Sequence, residues 1–114
     1  MTPIATRWDC ARQMSRPSFA SRLNDAILQT GTVLCVGIDP HPDIMPPVFG
    51  GAGQNLTSGQ ALAHLRVFSQ TVLAAATGRV PAIKPQAALF EAYGPGDMEI
   101  LAELSCNARQ AGLL

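Results

Sequence analysis

Apolar residues recur at two different spacings along the chain, and this difference predicts alternating helices and strands. Phe19, Leu23 and Ile27 follow one another every four residues, the spacing of an amphipathic helix that would end at Gly31. Residues 33–38, VLCVGI, are instead continuously apolar, as is typical of a parallel strand covered on both faces. The first part of the chain therefore predicts a helix followed by a buried strand.

The same two patterns return further along the chain, on either side of a loop rich in proline and glycine. This loop covers residues 40–54, and the helical stripe of apolar residues that follows it ends at Gly78. A short second strand is predicted over residues 80–84, VPAIK, and a last helix from Asp97 to Gly112. The order helix, strand, helix, strand, helix predicts a βαβ unit with parallel strands, and hence an α/β fold.

The domain organisation follows from where this pattern begins and stops. Residues 1–17 are predicted to be a lead-in, and residues 18–114 to be part of one domain. Leu113 and Leu114 have the character of the first residues of a third apolar strand. Because two parallel strands cannot bury both faces of a sheet, we expect the chain to be the front piece of a larger α/β protein, truncated before its third strand.

The composition is that of a soluble globular protein and narrows the functional classes. The 114 residues are 47% hydrophobic and 14% charged, with a formal net charge of zero. Since there is no basic excess, no nucleic-acid partner is expected, and no apolar run reaches the ~20 residues of a membrane helix. The three cysteines form no CxxC pair, so we expect a cytoplasmic protein without a metal site, in which Cys35 and Cys106 serve packing.

Two charged residues stand at the carboxyl ends of the two predicted strands, Asp39 in GID and Lys84 in AIK. Lys84 is the single lysine of the chain, whose other seven basic residues are arginines. Active sites of α/β sheets and (β/α)8 barrels lie at this edge, and neighbouring strands are about 4.8 Å apart. We therefore expect Asp39 and Lys84 to share one ion pair or one substrate hydroxyl. Taken singly, each is more simply a solvated charge at a strand end.

Other patterns indicate less chemistry. The glycines around residues 37–53 fit neither GxGxxG nor GxxxxGK[ST], so no dinucleotide or P-loop site is expected. His41 lies in the proline-rich loop and is predicted to face solvent. Gln86 and Glu91 follow Lys84, and either orient it or merely line the loop; both alternatives stay open.

Two motifs, VLCVGIDPHPD at residues 33–43 and AIKPQAALFEAYG at residues 82–94, together resemble orotidine 5′-phosphate decarboxylase, in particular its longer bacterial branch with a KPQ motif. The resemblance runs from about residue 18 to the end of the sequence. It implies the N-terminal portion of a (β/α)8 TIM barrel, incomplete, with one helix and two βα units. It also implies a carboxy-lyase of pyrimidine and UMP biosynthesis that uses no metal or organic cofactor and whose full-length form is a homodimer.

The same resemblance implies roles for the two charged residues. Asp39 would contact the ribose of orotidine 5′-monophosphate, and Lys84 would bind a ribose hydroxyl and join the catalytic charge network that yields UMP and CO2. The central Asp-x-Lys-x-x-Asp motif of that family, whose lysine stabilises and protonates the carbanion, does not occur in this sequence. We therefore expect this chain to be an inactive N-terminal fragment of the enzyme.

Two further interpretations remain open from the sequence. The chain could be a non-catalytic piece, either a truncated relic or a structural or binding fragment of a phosphate-sugar barrel. It could also belong to another phosphate-sugar barrel enzyme, such as a sugar-phosphate decarboxylase or an aldolase relative. The KPQ motif at residues 84–86 argues against this last interpretation.

Overall fold

The computed structural model describes residues 17–49, 57–93 and 96–114. Nearly all of the predicted lead-in and part of the first loop lie outside these ranges. Helices and strands alternate from α1 to β2 as the apolar pattern predicts, and two helices rather than one follow β2. The elements are α1 (Phe19–Thr30), β1 (Cys35–Ile38), α2 (Ser58–Ala76), β2 (Ala82–Pro85), α3 (Ala87–Glu91) and α4 (Asp97–Gln110), with one turn of 3-10 helix at Pro47–Phe49.

The first two helices begin at residues that cap them. The Ser18 hydroxyl accepts a hydrogen bond from the backbone N–H of Ser21 at 3.2 Å, which satisfies a donor that the helix leaves free. Thr57 and Gln60 form a reciprocal capping box at the start of α2. Gly31 ends α1 at φ 72°, in the left-handed region that glycine adopts without steric cost. Local sequence signals therefore set these helix boundaries.

The two strands pair in parallel, with Gly37 opposite Lys84. The prediction that β1 is covered on both faces is wrong. Ile38 is fully buried, whereas the alternate residue Cys35 is exposed, because α2 packs on one face of the sheet. Leu34 also precedes the strand and is 65% exposed, so β1 is shorter than its apolar run.

The hydrophobic core lies between the covered face of the sheet and three of the helices. Phe90 of α3 and Leu104 of α4 are completely buried in it. The ion pair between Arg66 and Glu103, at 3.0 Å, joins α2 to α4 above this core. The buried cluster consists of Ile38, Leu65, Leu73, Ala76, Val80, Phe90, Ile100, Leu104, Ala108 and Leu113. Because both strands and α3 pack against this one cluster, the positions of the strand ends relative to α3 are fixed.

A third segment contacts the open edge of β2. The backbone N–H of Ile83 donates to the carbonyl of Leu114 at 2.8 Å, and the N–H of Leu114 donates to the carbonyl of Pro81 at 3.1 Å. Leu114 thus bonds to Pro81 and Ile83, the two residues on either side of Ala82. In a parallel ladder a residue bonds in this way to the two residues that flank its partner. Leu114 therefore lies where a third parallel strand would pair with β2.

The cysteines differ from the expectation that Cys35 and Cys106 serve packing alone. Cys35 is a free cysteine with an exposed side chain, because it lies on the uncovered face of β1. Cys106, on α4, is disulfide-bonded. Among the helices that the structure describes, none combines the length and apolar character required to cross a bilayer.

Candidate functional site

The predicted pair of charges lies at the carboxyl ends of the paired strands. Asp39 directly follows β1, and Lys84 lies in β2 opposite Gly37. Since alternate residues of a strand point to the same face, Gly37, Asp39 and Lys84 share the uncovered face of the sheet. The Lys84 Nζ lies 3.9 Å from the Asp39 Oδ1. The fold thus brings together the two residues that the sequence singles out.

Both side chains of this pair are open to solvent. The side chain of Lys84 is 62% exposed and that of Asp39 is 51% exposed. An ion pair exposed to this extent contributes about 0–1 kcal/mol to stability, so it does little to hold the fold together. Lys84 therefore faces solvent near the end of its strand, although the apolar residues before it suggest burial. An accessible ammonium beside an accessible carboxylate can donate to one hydroxyl of a sugar and accept from another.

Gln86 is the third polar side chain at this edge. Its Oε1 lies 3.5 Å from the Lys84 Nζ, at the outer limit of a hydrogen bond. Its backbone N–H donates to the carbonyl of Ile38 at 3.1 Å, which extends the pairing of the strands beyond β2. Of the two alternatives that the sequence leaves open for Gln86, the structure favours contact with Lys84. Glu91 has an exposed side chain on α3.

His41 is held by its own loop. The Nδ1 atom accepts a hydrogen bond from the backbone N–H of Asp43 at 3.2 Å and lies 3.8 Å from the Asp43 carboxylate. The side chain of His41 remains 45% exposed. The Nδ1 atom is therefore engaged in a hydrogen bond within the loop. The exposure of the side chain agrees with the prediction of a solvent-facing histidine.

Tyr93 is a residue of this region that sequence reasoning missed. Its Oη donates a hydrogen bond of 2.8 Å to the backbone carbonyl of Pro40, the residue after Asp39. A phenol is protonated at neutral pH and can donate this bond, and burial raises the pKa of Tyr93 further above its ordinary value. The available signal was that the single tyrosine of the chain falls within the motif that follows Lys84.

Comparison with known proteins gives this geometry a context. No family model matches the sequence. The orotidine 5′-phosphate decarboxylase of Rhodopirellula baltica is 42% identical over 98 residues, which cover 85% of this chain and 32% of that protein. The enzyme of the same name from Streptomyces coelicolor is 38% identical over 96 residues, covering 84% of this chain and 31% of that protein.

A solved structure agrees with these sequence relatives. The crystal structure of a protein assigned as an orotidine 5′-phosphate decarboxylase from Streptomyces avermitilis superposes with a TM-score of 0.68 and 35% identity, over 89% of this chain and 32% of that protein. The chain is a homologue of orotidine 5′-phosphate decarboxylase. The resemblance predicted from the two motifs is thereby confirmed. The chain spans about a third of the length of the decarboxylases that it matches.

Proposed function

We propose that this chain is the N-terminal part of an orotidine 5′-phosphate decarboxylase, a lyase that converts orotidine 5′-monophosphate to UMP and CO2 in pyrimidine biosynthesis. The observation that carries the proposal is the 3.9 Å approach of Asp39 and Lys84 at the carboxyl ends of neighbouring parallel strands. In this proposal β1 and β2 are the first two strands of a (β/α)8 barrel. The remaining strands come from the rest of a longer protein.

The two charged side chains bind the ribose in this proposal. The Lys84 ammonium donates to a ribose hydroxyl, and the Asp39 carboxylate accepts from one. Their position supports this assignment, since both polar groups lie together at the carboxyl ends of neighbouring parallel strands, outside the packed core. Charge-assisted hydrogen bonds of this kind are strong and directional, so they would fix the sugar and, through it, the position of the reacting base.

The chemistry of decarboxylation also requires a cation near the carbon that loses CO2. Lys84 is the one lysine in the sequence, and its partner Asp39 places it at the sugar in this proposal. Since the rate depends on groups that stabilise the transition state, the expected Asp-x-Lys-x-x-Asp lysine must come from elsewhere. We therefore propose that residues 1–114 alone are inactive.

The proposal includes the further properties that the resemblance implies. The complete enzyme would act in the cytoplasm as a homodimer, without metal or organic cofactor. The decarboxylase relatives described above give no support to a non-catalytic relic. They also give no support to the interpretation that the chain belongs to another phosphate-sugar barrel enzyme.

The test is a hybrid enzyme in which this chain replaces the matching third of the Rhodopirellula baltica decarboxylase. Decarboxylation of orotidine 5′-monophosphate is followed by its loss of absorbance, with the chain 1–114 assayed in parallel. We expect activity in the hybrid enzyme and none in the chain alone. Lys84→Ala in the hybrid enzyme should lower kcat/KM by about 10²-fold or more, because it removes a group that orients the substrate.

Two results would contradict the proposal. One is a folded hybrid enzyme without decarboxylase activity, since the replaced third would then lack the residues that the reaction needs. The other is a Lys84→Ala variant with the full activity of the hybrid enzyme. Decarboxylation by residues 1–114 alone would show instead that another group protonates the product. As a control, Val67→Ala changes an exposed residue of α2 and should leave kcat/KM unaltered.

A further inference from the structure

The backbone beside Asp39 is unusually well anchored, although the Asp39 side chain itself is exposed. Pro40 is among the completely buried residues. The backbone carbonyl of Asp39 accepts a hydrogen bond from the N–H of His41 at 2.8 Å, which turns the chain sharply after β1. The orientation of the Asp39 carboxylate therefore depends on how this turn is held.

The contact between Asp39 and Lys84 does not hold the turn by itself. At 3.9 Å, and with both side chains more than half exposed, the ion pair is weak and competes with water. The contact between Lys84 and Gln86 is also long, at 3.5 Å. Neither contact orders the loop, so the two charges need a different source of alignment.

Tyr93, in the segment that follows β2, supplies a contact that can align the two charges. It lies directly after α3, which follows β2, and its backbone N–H donates to the carbonyl of Phe90 at 3.1 Å. Phe90 is fully buried in the core, so this end of α3 has a fixed position. The Tyr93 hydroxyl then bonds across 53 residues of sequence to Pro40, at 2.8 Å.

The segments that carry the two charges are thus joined twice. At the end of the strands, the Gln86 N–H donates to the carbonyl of Ile38. Beyond them, the Tyr93 hydroxyl donates to the carbonyl of Pro40. Asp39 lies between Ile38 and Pro40, so both of its peptide neighbours are tied to the segment that follows Lys84. This bracket fixes the backbone of Asp39 relative to Lys84.

We propose that Tyr93 is a positioning residue, whose hydrogen bond to Pro40 holds the Asp39 carboxylate at the distance from Lys84 that substrate binding requires. Tyr93 itself touches neither charge in this proposal and acts through the backbone. The assignment rests on the proposed function for its kinetic consequence. The structural link between Tyr93 and the turn after β1 is independent of what the protein catalyses.

The structural link is tested by hydrogen–deuterium exchange of the hybrid enzyme. Tyr93→Phe removes only the hydroxyl, and we expect faster exchange in the peptide that covers residues 38–45 because its anchor is lost. The matched control is Thr77→Val, which removes another side-chain hydroxyl bonded to a backbone carbonyl, that of Leu73 at 2.8 Å. Thr77→Val should leave exchange of residues 38–45 unchanged. Unchanged exchange in Tyr93→Phe would overturn the proposal.

The positioning role is tested by a double-mutant cycle with Asp39→Asn. Tyr93→Phe alone should lower kcat/KM by about 10-fold, since small displacements of orienting groups cost up to about 10²-fold. In the Asp39→Asn background the same change should cost less than about twofold, because residues that act through one another are not additive. Equal losses in both backgrounds would assign Tyr93 a general structural role and refute positioning through Asp39.

The two measurements separate this proposal from the proposed function. If the folded hybrid enzyme is inactive, the proposed function fails, and the exchange experiment still decides whether Tyr93 anchors the turn. If the hybrid enzyme is active and Tyr93→Phe has the activity of Thr77→Val, the proposed function stands and the positioning role is refuted.

Discussion

The carboxylate of Asp39 lies over Gly37, in space that a larger side chain at position 37 would need. A Cβ added at Gly37 would approach the Asp39 Oδ2 to 2.9 Å, closer than van der Waals contact permits. Gly37 is also the residue opposite Lys84 in the sheet. The absence of a side chain at position 37 therefore gives the Asp39 carboxylate room to turn toward Lys84.

Gly37→Ala should damage the site and spare the fold. The atom in conflict is the end of the Asp39 side chain, which can rotate away at little cost, whereas alanine in a strand gains about 0.5–1 kcal/mol over glycine. In the hybrid enzyme we expect equal or higher stability toward urea, with kcat/KM lower by about 10-fold. Gly59→Ala is the control, since a Cβ at Gly59 meets nothing within 4 Å. Full activity of Gly37→Ala would show that the Asp39 orientation does not matter.

Phe90→Ala should have the opposite profile, with a large loss of stability. Phe90 is completely buried between the sheet and the helices, and truncation leaves a cavity in the core. Such changes cost about 3–5 kcal/mol. Urea denaturation of the hybrid enzyme would measure this, with Val67→Ala, at a 54% exposed position, expected within about 0.5 kcal/mol of the parent. A loss below about 1 kcal/mol for Phe90→Ala would contradict the packing described above.

The sequence predicted the helices and the charged pair because these depend on local signals. Ser18 and Gly31 set the limits of α1 through hydrogen bonds within a few residues. Asp39 and Lys84 were found because each comes at or near the end of an apolar strand, and parallel strands end at one edge. Apolar character alone cannot tell which face of a strand is covered. Cys35 was therefore expected to be buried and is exposed.

Contacts between distant parts of the chain could not be predicted, because they do not depend on local sequence signals. The bond from Tyr93 to Pro40 joins residues 53 positions apart, and no spacing or motif predicts it. The position of the Asp39 carboxylate over Gly37 likewise depends on the direction of the Asp39 side chain, which the sequence does not give. The sequence could name Gln86 as a neighbour of Lys84, but not decide whether its amide turns toward the ammonium.

Stability should fall at alkaline pH through Tyr93. Burial raises the folded-state pKa of Tyr93 above the ordinary 10.0, so the folded protein holds this proton more tightly than the unfolded chain does. The resulting stabilisation is fully present below pH 10.0 and is lost as the pH rises through the folded-state pKa. Urea denaturation of the hybrid enzyme between about pH 8 and 11 should therefore show a steeper decline than in Tyr93→Phe. Parallel pH profiles of the two proteins would contradict this assignment.

Residues 1–114 on their own should associate or remain loosely packed. The sheet has one uncovered face. Close to it in sequence, Val33 and Leu34 just before β1 are 77% and 65% exposed, and Leu28 on α1 is 73% exposed. Uncovered sheet faces and edges that present apolar residues favour association between copies. We expect the isolated chain to elute as large species in size-exclusion chromatography and to bind the dye ANS.

The hybrid enzyme provides the comparison for this last prediction. If the uncovered face of the sheet is the surface that the rest of a barrel covers, joining the two parts should abolish ANS binding and give a discrete species on the column. Leu34→Lys in the isolated chain should reduce association, because a charge on an exposed strand end opposes stacking of copies. A soluble monomer of residues 1–114 with a sharp cooperative melt would contradict the prediction, and would mean that the core around Phe90 and Leu104 suffices for folding.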